Sequence, residues 1–174
     1  MQKVILVDET DGEVGVMEKM EAHRQALLHR AFSIFIFNGQ GEMLLQRRSL
    51  KKYHSGGLWT NACCSHPAPG ESLLHAAQRR LQEELGFSVP LEKVFDFIYR
   101  APLDNGLTEY EFDHVFRGIY DGGVEPDPEE VSEVCFMTMD NIRASLEAHP
   151  EQYTAWFAIA FSKLTSSFQR APRS

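Results

Sequence analysis

The chain has 174 residues, 43% hydrophobic and 24% charged, with a formal net charge of −8. That length and apolar content suit one folded domain spanning residues 1–174 and exclude a long disordered region. Net negative charge speaks against nucleic acid or an anionic membrane as main partner, so an anionic ligand needs a local basic pocket or metal ions.

In chain order, Lys3 to Val7 reads as a short strand, Asp8 to Gly12 as a turn, and Val14 to Met17 as the returning strand. Met20 to His29 has helical propensity without a clear cap. Ala31 to Phe37 (AFSIFIF) is nearly all apolar and predicts a buried strand, with Asn38 to Gly41 turning it into a hairpin with Met43 to Gln46. Ser49 to Pro69 is a looping stretch rich in Gly, His, Ser and Pro.

Ser72 to Leu85 predicts a helix, with Leu74, Ala77, Leu81 and Leu85 on one face, Ser72 as its cap and Gly86 just past its end. Val94 to Tyr99 reads as a strand and Glu109 to Tyr120 as a long one. On that long strand Glu109, Glu111, Asp113 and Val115 share a face. The opposite face holds Tyr110, Phe112, His114 and Phe116 and is expected to be the core side, leaving the acidic face to solvent. Val134 to Met139 is another strand. Asp140 is expected to cap a helix to Ala148, and Pro150 separates it from a last helix at about Thr154 to Phe168. Mixed strands with one central and two late helices predict an α/β sandwich with a mixed sheet.

Three cysteines, Cys63, Cys64 and Cys135, suit a reducing compartment. No signal-peptide pattern and no run of ~20 apolar residues is present, so the expectation is a cytoplasmic chain with no membrane partner.

Three residue sets carry chemistry. Glu109 and Glu111 project from one strand face and repel each other if buried, unless a cation sits between them. On its own an E-x-E is more often a solvated strand face. His23, His29 and His66 with such carboxylates suit a borderline divalent ion; His54, His75, His114 and His149 read as surface or packing residues. The run Ser65 to Phe87 resembles the Nudix box, a loop–helix–loop that binds metal and diphosphate, with Glu71, Arg79, Leu81, Glu83, Glu84 and Gly86 in place. Ser65 replaces its opening Gly, and Arg80 replaces a carboxylate that a Nudix hydrolase uses to hold metal; Arg there favours binding phosphate. A plain surface helix with Arg79–Glu83 and Arg80–Glu84 pairs would look the same.

The stretch Leu58 to Pro67 (LWTNACCSHP), running into that degenerate box, resembles the type I isopentenyl-diphosphate isomerases. Further segments match the family in order: E-A-H at Glu21 to His23, L-H-R-A-F at Leu28 to Phe32, Gln46-Arg47-Arg48 with Lys51-Lys52, Tyr99-Arg100, Glu109-Tyr110-Glu111, and T-A-W at Thr154 to Trp156. The similarity covers roughly residues 3 to 165. It implies a Nudix-type α/β/α sandwich with an N-terminal extension (1–30) that carries the metal histidines.

By matching position the resemblance implies one divalent ion (Mn, Zn or Mg) on His23, His29, His66, Glu109 and Glu111. It implies a Mg²⁺ on the substrate diphosphate with Glu84 as its protein ligand. Cys64 and Glu111 become the acid–base pair across the site, with Tyr99 relaying to Glu111 and Trp156 facing a carbocation. Cys64 is expected to work as a thiolate poised near His66 and cations. Arg48, Lys52 and Arg80 are the expected diphosphate binders. For Lys51 and Lys52 alone a solvated charge run is the simpler reading, and for Trp156 alone a core residue beside Phe157, Ile159 and Phe161. The partner is a small diphosphate, the chain a monomer or weak homodimer. The competing readings are a Nudix hydrolase of a nucleoside diphosphate derivative and a non-catalytic binding domain on the same scaffold.

Overall fold

The computed structural model describes residues 2–52 and 54–170. β1 (Lys3–Val7) and β2 (Glu13–Glu18) form an antiparallel hairpin, tightened where the Asp8 carboxylate accepts from the Thr10 and Gly12 amides at 2.9 Å. α1 (Lys19–Gln25) ends four residues before the expected limit, at Ala26 in the left-handed conformation (φ 54). Strand pairing imposes that stop. His29 opens β3 (His29–Phe37) and must be extended to pair with both Leu6 of β1 and Glu111 of β8 (Thr108–Ile119).

Among the described residues, all nine strands join one mixed sheet. β3 runs parallel to β8 along its whole length, and antiparallel to β6 (Cys63–Ser65) through Phe32 to Ile34. With one edge taken by β8 and most of the other by β1 and β6, only Phe37 remains to pair with Met43. The expected hairpin is therefore a turn without a ladder. β4 (Met43–Arg48) instead pairs along its length with β9 (Val131–Met137) and at its end with β5 (Trp59–Thr60). The long β7 (Glu92–Pro102) pairs antiparallel with β8.

Two cores lie on opposite faces of the sheet, which makes the α/β/α sandwich. Phe32, Ile34 and Ile36 face α2 (Leu73–Leu85) and pack with Ala76, Ala77, Leu81 and Leu85. Phe35 faces α4 (Ala155–Arg170) and packs with Phe157, Phe161 and Leu164, joined by Ile142 of α3 (Met139–Ala148). A strand covered on both faces has no polar side to alternate with, hence the apolar run AFSIFIF. A small third cluster of Ile5, Val7, Phe112 and Leu28 seats the N-terminal hairpin against β8.

The helix ends are local-sequence devices. Ser72 Oγ accepts from the His75 amide, and Gly86 (φ 79) closes α2 where a Cβ would meet Glu125 at 3.0 Å. Leu74 departs from its expected place and is exposed; Ala76 takes its role on the buried face. Thr138, not Asp140, caps α3, its hydroxyl accepting from the Asn141 amide at 3.2 Å. Among the described residues no helix is long and apolar enough to cross a membrane.

Candidate active site and metal centre

Strand alternation on β8 sends Glu109, Glu111, Asp113 and Val115 to one side. Contrary to the solvated face expected, all four are buried, and so are Phe112, His114 and Phe116 opposite. The acidic side is covered by side chains from α1, from the β4–β5 loop and from the segment after β6.

What covers the carboxylates is a group of imidazoles. His29 Nε2 and His66 Nε2 lie 3.3 and 2.8 Å from Glu111 Oε2, and 3.3 Å from each other. His23 Nε2 and His54 Nε2 lie 3.9 and 3.5 Å from Glu109 Oε2. The Nδ1 atoms of His23 and His29 donate to the carbonyls of Lys19 (2.7 Å) and Leu27 (2.9 Å). In the neutral ring that bond leaves the lone pair on Nε2, facing the carboxylates. Burial lowers the pKa of His23, takes His66 down to about 4 and His54 to about 3. Two acceptors facing each other need a shared proton or a cation.

The spacing fits a cation. Donor–metal distances of about 2.0–2.2 Å put neighbouring ligands roughly 3.0 Å apart and opposite ones roughly 4.2 Å apart. Two overlapping sets, His23–His29–Glu111 and His23–His54–Glu109, could each hold a metal ion. His66 joins the first through its contacts to His29 and Glu111.

The carboxylates differ in state. Burial opposes ionisation of Glu111, but hydrogen bonds from His29 and His66 outweigh it and hold its carboxyl well below the usual range. Burial and the Glu111 charge push Glu109 well up. Tyr99 Oη donates to Glu109, not to the Glu111 expected, because the tyrosine reaches one step along β8 from its register partner.

Cys64 lies on β6 opposite Ser33, and alternation puts neighbouring Cys63 into the α2 core instead. The Asn61 amide is pinned by its Nδ2, which donates to the carbonyls of Ile34 (2.9 Å) and Cys63 (3.1 Å). Its Oδ1 is therefore an acceptor, and the Cys64 thiol donates to it at 3.1 Å. Trp156 Nε1 donates to the sulfur at 3.1 Å. Burial and Asp113 push the thiol pKa up to about 12. The expected thiolate is thus a neutral thiol, because an acceptor and a buried carboxyl adjoin it rather than cations.

Cys64, His54, His66, Glu109, Glu111 and Trp156 line one cavity of about 280 Å³, whose remaining wall includes Lys19, Arg48, Lys52, Arg80, Glu84 and Glu130. Two basic segments thus converge, as expected. Arg48 Nε and Arg80 Nε are buried donors without a hydrogen-bond partner. Glu84 Oε2 is a buried acceptor without one, and burial raises that carboxyl. Such orphaned groups suit an anion and its metal counter-ion. Lys52 pairs with Glu130 at 2.5 Å, and Arg80 reaches Glu84 (3.2 Å) and Glu130 (3.5 Å).

The NUDIX domain model matches residues 27–157 of the chain. An isopentenyl-diphosphate Delta-isomerase of Pectobacterium atrosepticum is 48% identical over 169 residues, covering 97% of this chain and 94% of that protein. One from Serratia proteamaculans is 49% identical over 156 residues, covering 90% and 87%. The chain belongs to the isopentenyl-diphosphate Delta-isomerase family. Its fold is also that of DR0079 from Deinococcus radiodurans (TM-score 0.79, 22% identity, covering 93% of this chain and 98% of that one). The MutT protein of Methanosarcina mazei has it too (TM-score 0.69, 21% identity, covering 82% and 96%).

Within this sequence some motif residues stand apart from the cavity. Gln46 donates to the Ala62 carbonyl, and Arg47 bonds Gly57 O and Glu133, so only Arg48 of that trio lines the cavity. Lys51 is a solvated charge paired with Glu129. Glu71 and Arg79 form a bidentate pair at 2.8 Å away from the cavity. The family pattern did not single out Lys19, Glu130 or His54, and Asn61 stands in its W-T-N segment without a role assigned to it. Lys19, whose pKa falls to about 8 through burial and Lys52, carries no spacing signal. His54, which the sequence alone suggests is a surface or packing residue, is buried against the carboxylates. His75 and His149 are surface residues as expected, and buried His114 pairs with Asp11 at 3.0 Å.

Proposed function

We propose that this chain, one domain over its 174 residues, interconverts isopentenyl and dimethylallyl diphosphate with Cys64 and Glu111 as its proton-transfer pair. One observation carries the pairing: the thiol on β6 and the carboxyl on β8 reach the same buried cavity from the two strands that flank β3.

The hydrogen-bond geometry favours a direction. Asn61 Oδ1 can only accept, so Cys64 starts with its proton. In the forward sense the S–H proton goes to the terminal carbon of the alkene, leaving a tertiary cation. Glu111, held as a carboxylate, takes a proton from the neighbouring carbon, and the double bond re-forms there. The cycle closes when the thiolate regains a proton and Glu111 loses one. Trp156 walls the cavity with a cation-attracting ring, and burial keeps out water that would trap the cation.

Arg48, Lys52 and Arg80 would hold the diphosphate, and Glu84 would be the carboxylate for a Mg²⁺ bound with it. His23, His29, His66, Glu109 and Glu111 would hold a divalent ion, whose charge would offset the repulsion between the paired carboxylates.

Proton NMR of isopentenyl diphosphate in D₂O with enzyme tests the reading: dimethylallyl diphosphate should appear with deuterium at the positions protonated. Cys64→Ala and Glu111→Gln should each lower turnover by roughly 10²–10⁴-fold while remaining folded. Near-normal turnover by either variant would refute the pairing.

A further inference from the structure

We propose that Glu130 is a positioning residue for the diphosphate: its carboxylate holds Lys52 and Arg80 together and so assembles the basic wall before substrate arrives. This rests on the reading of that wall as the diphosphate site. No motif that carries the family likeness includes Glu130, which stands in the turn just before β9.

The wall gathers like charges from separate elements: Lys19 from α1, Arg48 from β4, Lys52 from the loop after it and Arg80 from α2. Around one cavity these groups repel each other until an anion arrives. Lys19 shows the crowding. Burial and Lys52, with Arg80 and Arg48, bring its pKa down to about 8, and Glu130 works in the opposite direction. Two carboxylates stand among these cations. Glu84 lies one turn from Arg80 on the same helix, so their pair joins nothing across segments. Glu130 reaches both segments, with Oε2 2.5 Å from Lys52 Nζ and Oε1 3.5 Å from Arg80 Nη2. Burial opposes its ionisation, but the hydrogen bond and charge of Lys52 outweigh that and lower its pKa.

The backbone makes Glu130 a fixed post. Its amide donates to the Asp127 carbonyl, its carbonyl accepts from the Ser49 amide, both at 3.0 Å, and the next residue, Val131, pairs with Arg48. The carboxylate therefore stands at a set place beside the segment that carries Arg48 and Lys52. Its contacts do not exhaust the cations. An ammonium has three N–H donors, and Arg80 Nε remains a buried donor without a hydrogen-bond partner. A lysine ordered in advance loses less rotamer freedom when the diphosphate binds. Glu130 also acts against an anion through its own charge. Removing that charge would relieve the repulsion but release Lys52 and leave it repelling Arg80; in this proposal the second effect is the larger.

The test uses the full chain and inorganic pyrophosphate with Mg²⁺. By calorimetry Glu130→Gln should bind this probe roughly tenfold more weakly, and KM for isopentenyl diphosphate should rise by a similar factor with kcat unchanged. Glu130→Asp, which keeps the charge, should recover part of the affinity. Because Glu130 acts through Lys52, Glu130→Gln should weaken binding less in a Lys52→Met chain than in the unsubstituted one. Unchanged or tighter binding by Glu130→Gln, an equal loss in both chains, or a fall in kcat with KM intact would overturn the proposal. If Glu130→Gln fails to fold, ¹⁵N NMR of the lysine ammonium groups in the unsubstituted protein decides: Lys52 Nζ should be ordered before pyrophosphate is added, and a freely rotating group would overturn the proposal. An unsubstituted chain that does not bind pyrophosphate would overturn the basic wall itself, whereas binding that Glu130→Gln leaves unchanged would remove only Glu130.

Discussion

At the Cys64 sulfur, three polar neighbours do separate jobs. Asn61 Oδ1 takes the thiol proton, Trp156 Nε1 donates to the lone pair, and Ser33 Oγ stands 3.6 Å away while donating to Asp113 at 2.8 Å. Behind Asn61, Thr154 donates to Thr60, which donates to Asn61 Oδ1. This chain couples the T-A-W segment to the W-T-N segment, two motifs some ninety residues apart, and it aims the thiol. Asn61→Ala should lower kcat roughly 10- to 100-fold with KM for the diphosphate unchanged, because Asn61 lies off the basic wall. Steady-state kinetics on a variant with native circular dichroism would check it; a rise in KM with kcat intact would assign Asn61 to binding. At this scale Cys64 was legible through its motif, but its charge was not. A motif names a residue, and only the groups packed around a sulfur decide whether it keeps its proton.

Among the elements, α2 was the most legible. Its cap, its terminal glycine and its apolar spacing are all local, and local signals survive folding unchanged. The loop before it is held by the Glu71–Arg79 pair, whose energetics depend on pH. Arg79 holds the Glu71 carboxyl down at about 2. The unfolded carboxyl takes up a proton near 4.5 and the folded one only near 2. The stabilisation is therefore fully present above about pH 4.5 and is lost as pH falls through 2. Arg79 is about one-third exposed, so after screening the contribution is roughly 1 kcal/mol. Urea denaturation should show Glu71→Gln less stable than the unsubstituted chain by that amount at pH 7, with the gap closing towards pH 2. A gap independent of pH would mean the pair contributes by packing alone. The elements read poorly were those whose partners are distant: β4 reads as half a hairpin but pairs with β9, some ninety residues on.

Across the molecule, the buried imidazoles and carboxylates that could hold a metal ion come from α1, β3, the β4–β5 loop, the segment after β6, and β8. An ion there would tie the N-terminal extension to the body of the sheet. If it binds the folded chain only, removing it should cost about 2.7 kcal/mol at an ion concentration a hundred times Kd, or roughly 5–10 °C in melting temperature. Calorimetry with and without chelator checks this, and coincident melting curves would remove the ion from the stability of the fold.

By itself the sequence determined the fold family, the order of most elements and the candidate residues for the site, since these are written in periodicity, caps and motifs along one dimension. Only the tertiary structure decided that the acidic face of β8 is buried, that Tyr99 serves Glu109, that Cys64 is a thiol and that His54 joins the imidazoles. Each of these depends on which side chains from remote segments share a volume without water, and there desolvation and neighbouring charges, rather than residue type, set the chemistry.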